Sequence, residues 1–163
     1  MNLFSASNPA VAAAFTVVFL IAGLFSIEVS AQTRAWGENG YGQLGIGNTI
    51  NQPLPQTVTA MPDATGISSG LYHTLFLKSD GTVAAAGYNG HGQLGTGVGG
   101  ANQSTPVPVP NLTTVVQVTA GIFHSAALLS DGTVRSWGSN LEGQIGNGKI
   151  SQPTGCHCIP TPT

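Results

Sequence analysis

The side chains best suited to acid–base chemistry are two histidines and two aspartates that recur at a fixed spacing. His73 and His124 stand 51 residues apart, and Asp80 and Asp131 keep the same separation. An active site needs its general base once, so a residue repeated at one spacing is better explained by structure than by catalysis. We predict that both imidazoles hydrogen-bond backbone groups between strands and that each aspartate shapes a tight turn.

Two segments near the C-terminus resemble ligand sites but lack residues that would complete them. Residues 143–149 have the spacing of a phosphate-binding loop up to Lys149, but Ile150 follows where a serine or threonine should bind magnesium. The segment 156–158 (Cys-His-Cys) is too short for the usual zinc spacing, and tetrahedral zinc requires a fourth ligand. The sequence therefore predicts no catalytic residue, no cofactor, no metal site and no enzymatic activity. A redox or intermolecular role for the two cysteines stays open.

Charged residues are scarce in this chain. Lysine and arginine together number 4, aspartate and glutamate number 6, and the four types make up 6% of the 163 residues, against about 25% in average soluble proteins. With a net charge of −2, the chain lacks the basic patch that binds nucleic-acid phosphates, so we expect no nucleic-acid partner. A hydrophobic fraction of 41% also excludes a charge-driven disordered tail.

Residues 1–31 have the composition of a targeting segment. Residues 10–27 are strongly apolar and uncharged, and residues 29–31 (Val-Ser-Ala) match a cleavage site that would leave Gln32 first. We predict an N-terminal hydrophobic helix that serves as a secretory signal peptide, with an uncleaved membrane anchor as the alternative. Both place the rest of the chain outside the cytoplasm, secreted or at the cell surface. The membrane is a partner only if the segment stays uncleaved.

An internal repeat organises the remainder of the chain. A glycine-rich segment occurs three times, with Gly37, Gly87 and Gly138 spaced 50 and 51 residues apart. A second motif, Gly-x-x-His followed by Asp-Gly, occurs twice at the same period, beginning at Gly70 and Gly121. Two motifs that stay in phase indicate repeated structural units. The positions expected to be structural are Trp36, Gly37, Gly42, Gln43, Gly45, His73, Asp80, Gly81, Gly87, Gly92, Gln93, Gly95, His124, Asp131, Gly132, Trp137, Gly138, Gly143, Gln144 and Gly146.

Each unit is predicted to consist of short β-strands. Residues 73–78 alternate between two faces, Asp-Gly forms a hairpin turn, and residues 82–86 return as the partner strand. The next unit repeats this hairpin over residues 124–137. The glutamine of each glycine-rich loop is expected to satisfy backbone groups of the turn. Proline-containing stretches after the loops suit the outer edges of sheets.

These segments resemble the repeats of the regulator of chromosome condensation family. The family pattern joins a Trp-Gly and a Gly-Gln-Leu-Gly loop to an upstream Gly-x-x-His-Thr that ends in Asp-Gly. The matching residues are 37–45, 87–95 and 138–146 for the loop, with 70–81 and 121–132 for the upstream part. The resemblance implies an all-β fold of stacked antiparallel blades, which in the family form a seven-bladed β-propeller.

The chain has room for only part of such a ring. Residues 32–153 hold about two and a half units at a period near 51 residues, whereas seven blades at that period need about 350 residues. We therefore predict a partial propeller, followed by an irregular tail over residues 154–163. The chain would then be a fragment, a truncated gene product, or a piece that completes a ring with other chains. Self-association to complete a propeller is part of this hypothesis.

Aromatic residues in the loops are the candidates for partner contact. Tyr41, Tyr88 and His91 lie where the repeats differ from one another, and such rings often anchor interfaces. Packing over the loop glycines is the alternative role. Trp36 and Trp137 are expected to pack between blades.

The sequence favours an exported, non-enzymatic β-propeller that binds a protein partner through its loops. The resemblance implies a second hypothesis, a guanine-nucleotide exchange factor for a small GTPase or a chromatin adaptor. A lectin-like or hydrolase-associated module is a third hypothesis, which no particular residue supports directly.

Overall fold

The part of the chain that the structure describes contains ten β-strands and no helix. The structure is a computed structural model that describes residues 32–151 and 158–163. In chain order the strands are β1 (Arg34–Gly37), β2 (Gln52–Thr57), β3 (Ala64–Ser69), β4 (His73–Lys78), β5 (Val83–Asn89), β6 (Gly100–Pro108), β7 (Val115–Ala120), β8 (His124–Leu129), β9 (Val134–Ser139) and β10 (Cys158–Ile159). A search of the described residues finds no helix with the length and apolarity needed to cross a bilayer. The predicted targeting helix lies outside those residues.

The strands form three antiparallel sheets, here called blades 1, 2 and 3 in chain order. Blade 1 consists of β1 and β2, blade 2 has the order β3-β4-β5-β6, and blade 3 has the order β7-β8-β9-β10. Consecutive strands are neighbours within each blade, which makes each one a β-meander. The described residues thus form one half blade and two complete blades, and the predicted all-β class of stacked antiparallel sheets is confirmed.

The two hairpins predicted from the repeat are present. β4 begins at His73 and β8 begins at His124, both as predicted from the alternation of side chains. The turns after them place Gly81 at φ +77° and Gly132 at φ +84°, a conformation that only glycine adopts without strain. β5 extends three residues beyond the predicted hairpin arm, to Asn89, and β9 extends two residues beyond it, to Ser139.

Among the described residues, blade 2 is covered on both faces, whereas blade 3 is covered on one. Along β4, Leu75 and Leu77 belong to a core shared with blade 3 that includes Trp137. Between these two leucines, Phe76 belongs to a second core, which blade 2 shares with Val58 of the segment after β2. Because a single sheet cannot bury both of its faces, stacking between blades is what removes these apolar side chains from water.

Proline-containing strands lie at the sheet edges, as predicted. β2 and β6 are edge strands, where the missing proline N–H costs no bond within the ladder. The C-terminus departs from the predicted irregular tail, because β10 pairs with β9 through Cys158 opposite Ser139. Ser136 and Thr163 also exchange two backbone hydrogen bonds of 3.2 Å. Residues 158–163 therefore complete blade 3, and an edge strand of this kind lacks the alternating hydrophobicity that would reveal it in a sequence.

Candidate partner-binding surface

The glycine-rich loops that follow β1, β5 and β9 share one hydrogen-bonding scaffold. In each loop the glutamine Oε1 accepts a bond of 2.9–3.0 Å from the backbone N–H two residues earlier. The three pairs are Gln43 with Tyr41, Gln93 with His91, and Gln144 with Glu142. The predicted role of glutamine in satisfying turn backbone groups is thereby confirmed.

A buried asparagine holds the centre of each loop, and sequence reasoning missed this role. Oδ1 of Asn39, Asn89 and Asn140 accepts the backbone N–H five residues later at 3.0–3.1 Å. Each Nδ2 donates to a carbonyl nine residues later at 2.9–3.0 Å. All three asparagines are at most 1% exposed. Their recurrence at matching positions is the sequence signal by which they could be found.

Close contact with the next blade fixes the positions of the first two loops. Gly42 has φ +82°, and a Cβ there would stand 2.5 Å from the Cα of Ser104 in β6. Gly92 has φ +70°, and its Cβ would stand 2.8 Å from the Cα of Pro160 after β10. Both the backbone conformation and the space therefore require glycine. The loop of one blade is held against the outer strand of the following blade.

This constant scaffold displays side chains that differ from loop to loop. Tyr41, His91 and Glu142 occupy one repeat position, and each has its backbone N–H held by the loop glutamine. Glu38 and Tyr88 occupy a second repeat position, three residues earlier. A fixed backbone with variable side chains is the arrangement that recognition surfaces use, with contact residues on loops and a rigid framework below them.

Five rings from three blades meet at the loop end of the molecule, and we call them the aromatic surface: Tyr41, Tyr72, Tyr88, His91 and Phe123. Tyr41 lies 4.9 Å from Tyr72 and 5.1 Å from Tyr88, measured between ring centroids. His91 lies 4.9 Å from Phe123, and Tyr88 lies 6.2 Å from each of these two. The tilted and edge-to-face geometries are those that aromatic pairs prefer.

The three loop residues predicted for partner contact are thus brought together. Tyr41 is 36% exposed, and Tyr88 and His91 are half-buried. Sequence reasoning missed Tyr72 and Phe123, which immediately precede His73 and His124. An aromatic residue before each repeated histidine is the signal that could have identified them.

His73 connects blade 2 to blade 3, which corrects the prediction that it bonds to backbone. Its Nε2 atom lies 2.8 Å from Oγ of Ser125, and this Oγ donates to the carbonyl of Gln93 at 2.8 Å. Since the hydroxyl proton goes to the carbonyl, Nε2 carries the imidazole proton and donates it to Oγ. Burial, with a smaller contribution from His124, lowers the pKa of His73 to about 4. The imidazole is therefore neutral at pH 7 and has a structural role.

Asp80 and Asp131 occupy equivalent hairpin turns at the end of the blades away from the loops. Oδ1 of Asp80 accepts the N–H of Thr82 at 2.9 Å, and Oδ1 of Asp131 accepts the N–H of Thr133 at 2.8 Å. The Thr82 hydroxyl and then the Thr82 N–H lower the pKa of Asp80, and the Thr133 N–H lowers the pKa of Asp131. The predicted turn role is confirmed, and the bonds to the local backbone account for both residues.

The two tryptophans differ, although both were predicted to pack between blades. Trp137 is fully buried, and its Nε1 donates to the carbonyl of Gln93 at 2.8 Å. Trp36 is 41% exposed, so the prediction is wrong for this residue. It lines a cleft of about 540 Å³ with Ile67 and Phe76. Among the described residues β1 pairs only with β2, whereas β5 and β9 each have a strand on both sides.

No cluster of three or more histidine, cysteine, aspartate or glutamate side chains could share a metal ion within residues 32–151 and 158–163. Cys156 and His157 of the candidate metal motif lie outside the described residues. No helix begins at Lys149, Ile150 or Ser151, the last described residues of this segment, where the helix that follows a phosphate-binding loop would start.

Comparison with known families identifies the repeat. The family described as Regulator of chromosome condensation (RCC1) repeat matches residues 35–77 and 80–128. A second family with the same description matches residues 64–93 and 115–144.

Two curated relatives show similarity over most of this chain. The chain is 33% identical over 129 residues to the Regulator of chromosome condensation of Xenopus laevis, covering 77% of this chain and 30% of the relative. It is 35% identical over 128 residues to the Ultraviolet-B receptor UVR8 of Arabidopsis thaliana, covering 76% and 29% respectively. The chain thus spans about a third of the length of the relatives it matches.

Among solved structures, Prp20p from Saccharomyces cerevisiae superposes with a TM-score of 0.69 at 24% identity. The alignment covers 82% of this chain and 34% of Prp20p. This similarity supports the propeller-type stacking of the blades.

Proposed function

The chain belongs to the regulator of chromosome condensation repeat family, and from this premise we propose that it is an exported, non-enzymatic interaction module that binds a partner protein through the aromatic surface. One observation carries the proposal. Five rings from three blades meet at one end of the blades, and two of them, Tyr41 and His91, stand on glycine-rich loops that share one hydrogen-bonded backbone. Aromatic rings in this setting supply large contact area at low cost in side-chain entropy.

Photocrosslinking tests where the partner binds. A photoreactive phenylalanine analogue replaces Phe123 on the aromatic surface, and in a matched control it replaces the exposed Thr133 at the hairpin end. We expect a partner protein to be captured from Phe123 and not from Thr133. Capture from Phe123 should be lost when Tyr41→Ala is added.

Equal capture from the two positions, or capture that ignores Tyr41→Ala, would contradict a binding role for the aromatic surface. The variants must keep the circular dichroism spectrum and melting temperature of the parent, so that loss of capture reports on contact and not on unfolding.

Export is the part of the proposal that depends on sequence alone. The uncharged apolar residues 10–27 and the Val-Ser-Ala of residues 29–31 support it. Mass spectrometry of the protein recovered from the medium or periplasm should find Gln32 as the first residue. A mature chain that begins at Met1 would instead support a membrane anchor, and a chain found in the cytosol would contradict export.

The similarity to the Xenopus Regulator of chromosome condensation supports the second candidate function, regulation of a small GTPase or attachment to chromatin. Release of labelled GDP from a small GTPase, measured with and without the chain, tests the exchange activity. Acceleration of release would favour this function over that of an exported module.

Self-association to complete a propeller is a further part of the proposal. The exposed Trp36, the cleft beside it and the single pairing of β1 among the described residues support it. Sedimentation should then show association that rises with concentration and weakens with Trp36→Ala. A strictly monomeric chain would contradict it.

A further inference from the structure

We infer that the aromatic surface takes an extended, arginine-bearing segment of the partner, with the arginine side chains stacked on the rings. This inference rests on the proposed binding function and specifies the chemistry of the partner. The rings supply the first argument, because the face of a tyrosine or phenylalanine ring carries negative electrostatic potential and attracts cations. Four such rings lie within 6.4 Å of a ring neighbour in one continuous cluster: Tyr41, Tyr72, Tyr88 and Phe123.

The charges around the rings supply the second argument. Glu38 in the first loop takes the position that Tyr88 has in the second loop, and Glu142 in the third loop takes the position of Tyr41 and His91. Both carboxylates are on exposed residues. The repeat therefore places one acidic residue beyond each end of the row of rings.

Positive charge is nearly absent from this end of the blades. Within the loop segments 38–51, 88–99 and 139–151, Lys149 is the single lysine or arginine. Arg34 begins β1 and Lys78 ends β4, which puts both at the hairpin end. A surface of rings flanked by carboxylates and poor in cations is complementary to a cationic segment.

Arginine fits this surface better than lysine does. Its planar guanidinium stacks on aromatic rings and can form two parallel hydrogen bonds with one carboxylate, whereas the lysine ammonium is a compact and strongly hydrated charge. The occupant is extended because the rings and the two carboxylates are distributed over three blades rather than around one pocket. A proline-rich segment, which also binds aromatic surfaces, is the competing occupant that the experiment must distinguish.

Calorimetric titration of the purified full chain with blocked peptides tests the inference. The probes alternate glycine with arginine, lysine, neutral citrulline or proline. We expect the arginine peptide to bind tightest, the lysine peptide several-fold more weakly, and the citrulline and proline peptides at least roughly tenfold more weakly. Affinity for the arginine peptide should fall as salt rises from about 50 mM to about 500 mM.

Variants locate the binding. Tyr72→Ala and Phe123→Ala should each lower the affinity for the arginine peptide roughly 3- to 20-fold. The controls Leu71→Ala and Ile122→Ala change the adjacent residues, which are 53% and 59% exposed, and should leave the affinity unchanged. Glu142→Gln should weaken binding, whereas Asp63→Asn, which removes the same charge at the hairpin end, should not. Glu142 makes no bond through its carboxylate among the described contacts, so its variant remains informative if a ring variant unfolds.

Equal affinity for citrulline and arginine, tighter binding of the proline peptide, or equal losses from Leu71→Ala and Tyr72→Ala would each overturn the inference. Crosslinking of a partner from Phe123 without any binding of the arginine peptide would overturn the inference and leave the proposed function standing. Peptide binding without a crosslinked partner would contradict the proposed partner protein and support the chemistry of the surface.

Discussion

The Nε2 atom of His73 in blade 2 lies 2.8 Å from Oγ of Ser125 in blade 3. The same Oγ donates to the carbonyl of Gln93, which also accepts the indole N–H of Trp137. This chain of hydrogen bonds joins two blades at a loop that supports the aromatic surface. Thr74 makes the matching bond to the carbonyl of Gln43 at 2.8 Å, one blade earlier.

Removing the Ser125 hydroxyl should destabilise the stacking of blades 2 and 3. Ser125→Ala leaves the buried N–H of His73 without an acceptor, and we expect the free energy of unfolding to fall by about 1–3 kcal/mol. Chemical denaturation monitored by circular dichroism measures this. Ser125→Thr is the matched control, because the hydroxyl of Thr74 makes the equivalent bond one blade earlier. This variant should retain most of the stability. Equal losses from both variants would show that packing rather than the hydroxyl matters.

The stability of the protein should decline as the pH falls from about 6.5 to about 4. The lowered pKa of His73 means that the unfolded chain binds a proton in this range before the folded chain does. Nδ1 of His73 is buried without a hydrogen-bond partner among the described residues, so a second proton there would be uncompensated. The full decline attributable to this group is roughly 3 kcal/mol and ends below the folded pKa.

His73→Gln separates this effect from the titration of other groups. The variant is less stable at pH 7, but the difference between variant and parent should shrink as the pH approaches about 4. A difference that stays constant over this range would mean that His73 does not carry the pH dependence.

Gly92→Val should destabilise the protein far more than His91→Ala, its immediate neighbour. Valine at φ +70° is strained, and its Cβ would stand 2.8 Å from the Cα of Pro160, so we expect a loss of about 2–4 kcal/mol. Removal of the half-buried His91 ring should cost about 1 kcal/mol or less. Melting temperatures of the two variants provide the comparison.

Gly132→Val controls for the backbone strain alone. Gly132 has φ +84°, and a Cβ at this residue would have no neighbouring atom within 4 Å, so this variant should lose about 1–2 kcal/mol from strain without a clash. If Gly92→Val and Gly132→Val lower the free energy of unfolding by the same amount, then the close approach of the loop to blade 3 does not contribute to the stability.

Trp36 and Trp137 should respond differently to quenchers and to substitution. The chain contains only these 2 tryptophans, so Trp36→Phe and Trp137→Phe each leave one emitter. Trp36 should emit at longer wavelength and be quenched by acrylamide, since it is 41% exposed, whereas Trp137 at 0% should be protected. Trp137→Phe should lower the free energy of unfolding by about 2 kcal/mol. Trp36→Phe should change it by no more than about 0.5 kcal/mol. Protection of Trp36 at high protein concentration would reveal its burial by another copy.

The sequence was sufficient to predict the repeat and those hydrogen bonds that each loop makes with its own nearby backbone. The Asp-Gly turns, the strands that begin at His73 and His124, and the bonds of Gln43 and Gln93 to nearby backbone all involve residues close together in the chain. The alternation of side chains and the demands of tight turns determine them. The role of Asn39 was missed because its side chain bonds across the loop, with Leu44 five residues later and with Asn48 and Ile50 nine and eleven residues later.

The stacking of one blade on the next decided everything that joins residues of different repeats. Tyr41 and Tyr72 contact each other only because the loop of blade 1 rests on blade 2, and His73 reaches Ser125 for the same reason at the next interface. Trp36 and Trp137 have identical sequence positions in the repeat, yet one is exposed and the other buried according to what stands beside its blade. The sequence by itself determined the repeated unit, because the hydrogen bonds of its turns and hairpins join residues that are close together in the chain. Only the tertiary structure determined the surface, because contact between faces depends on which neighbours are present.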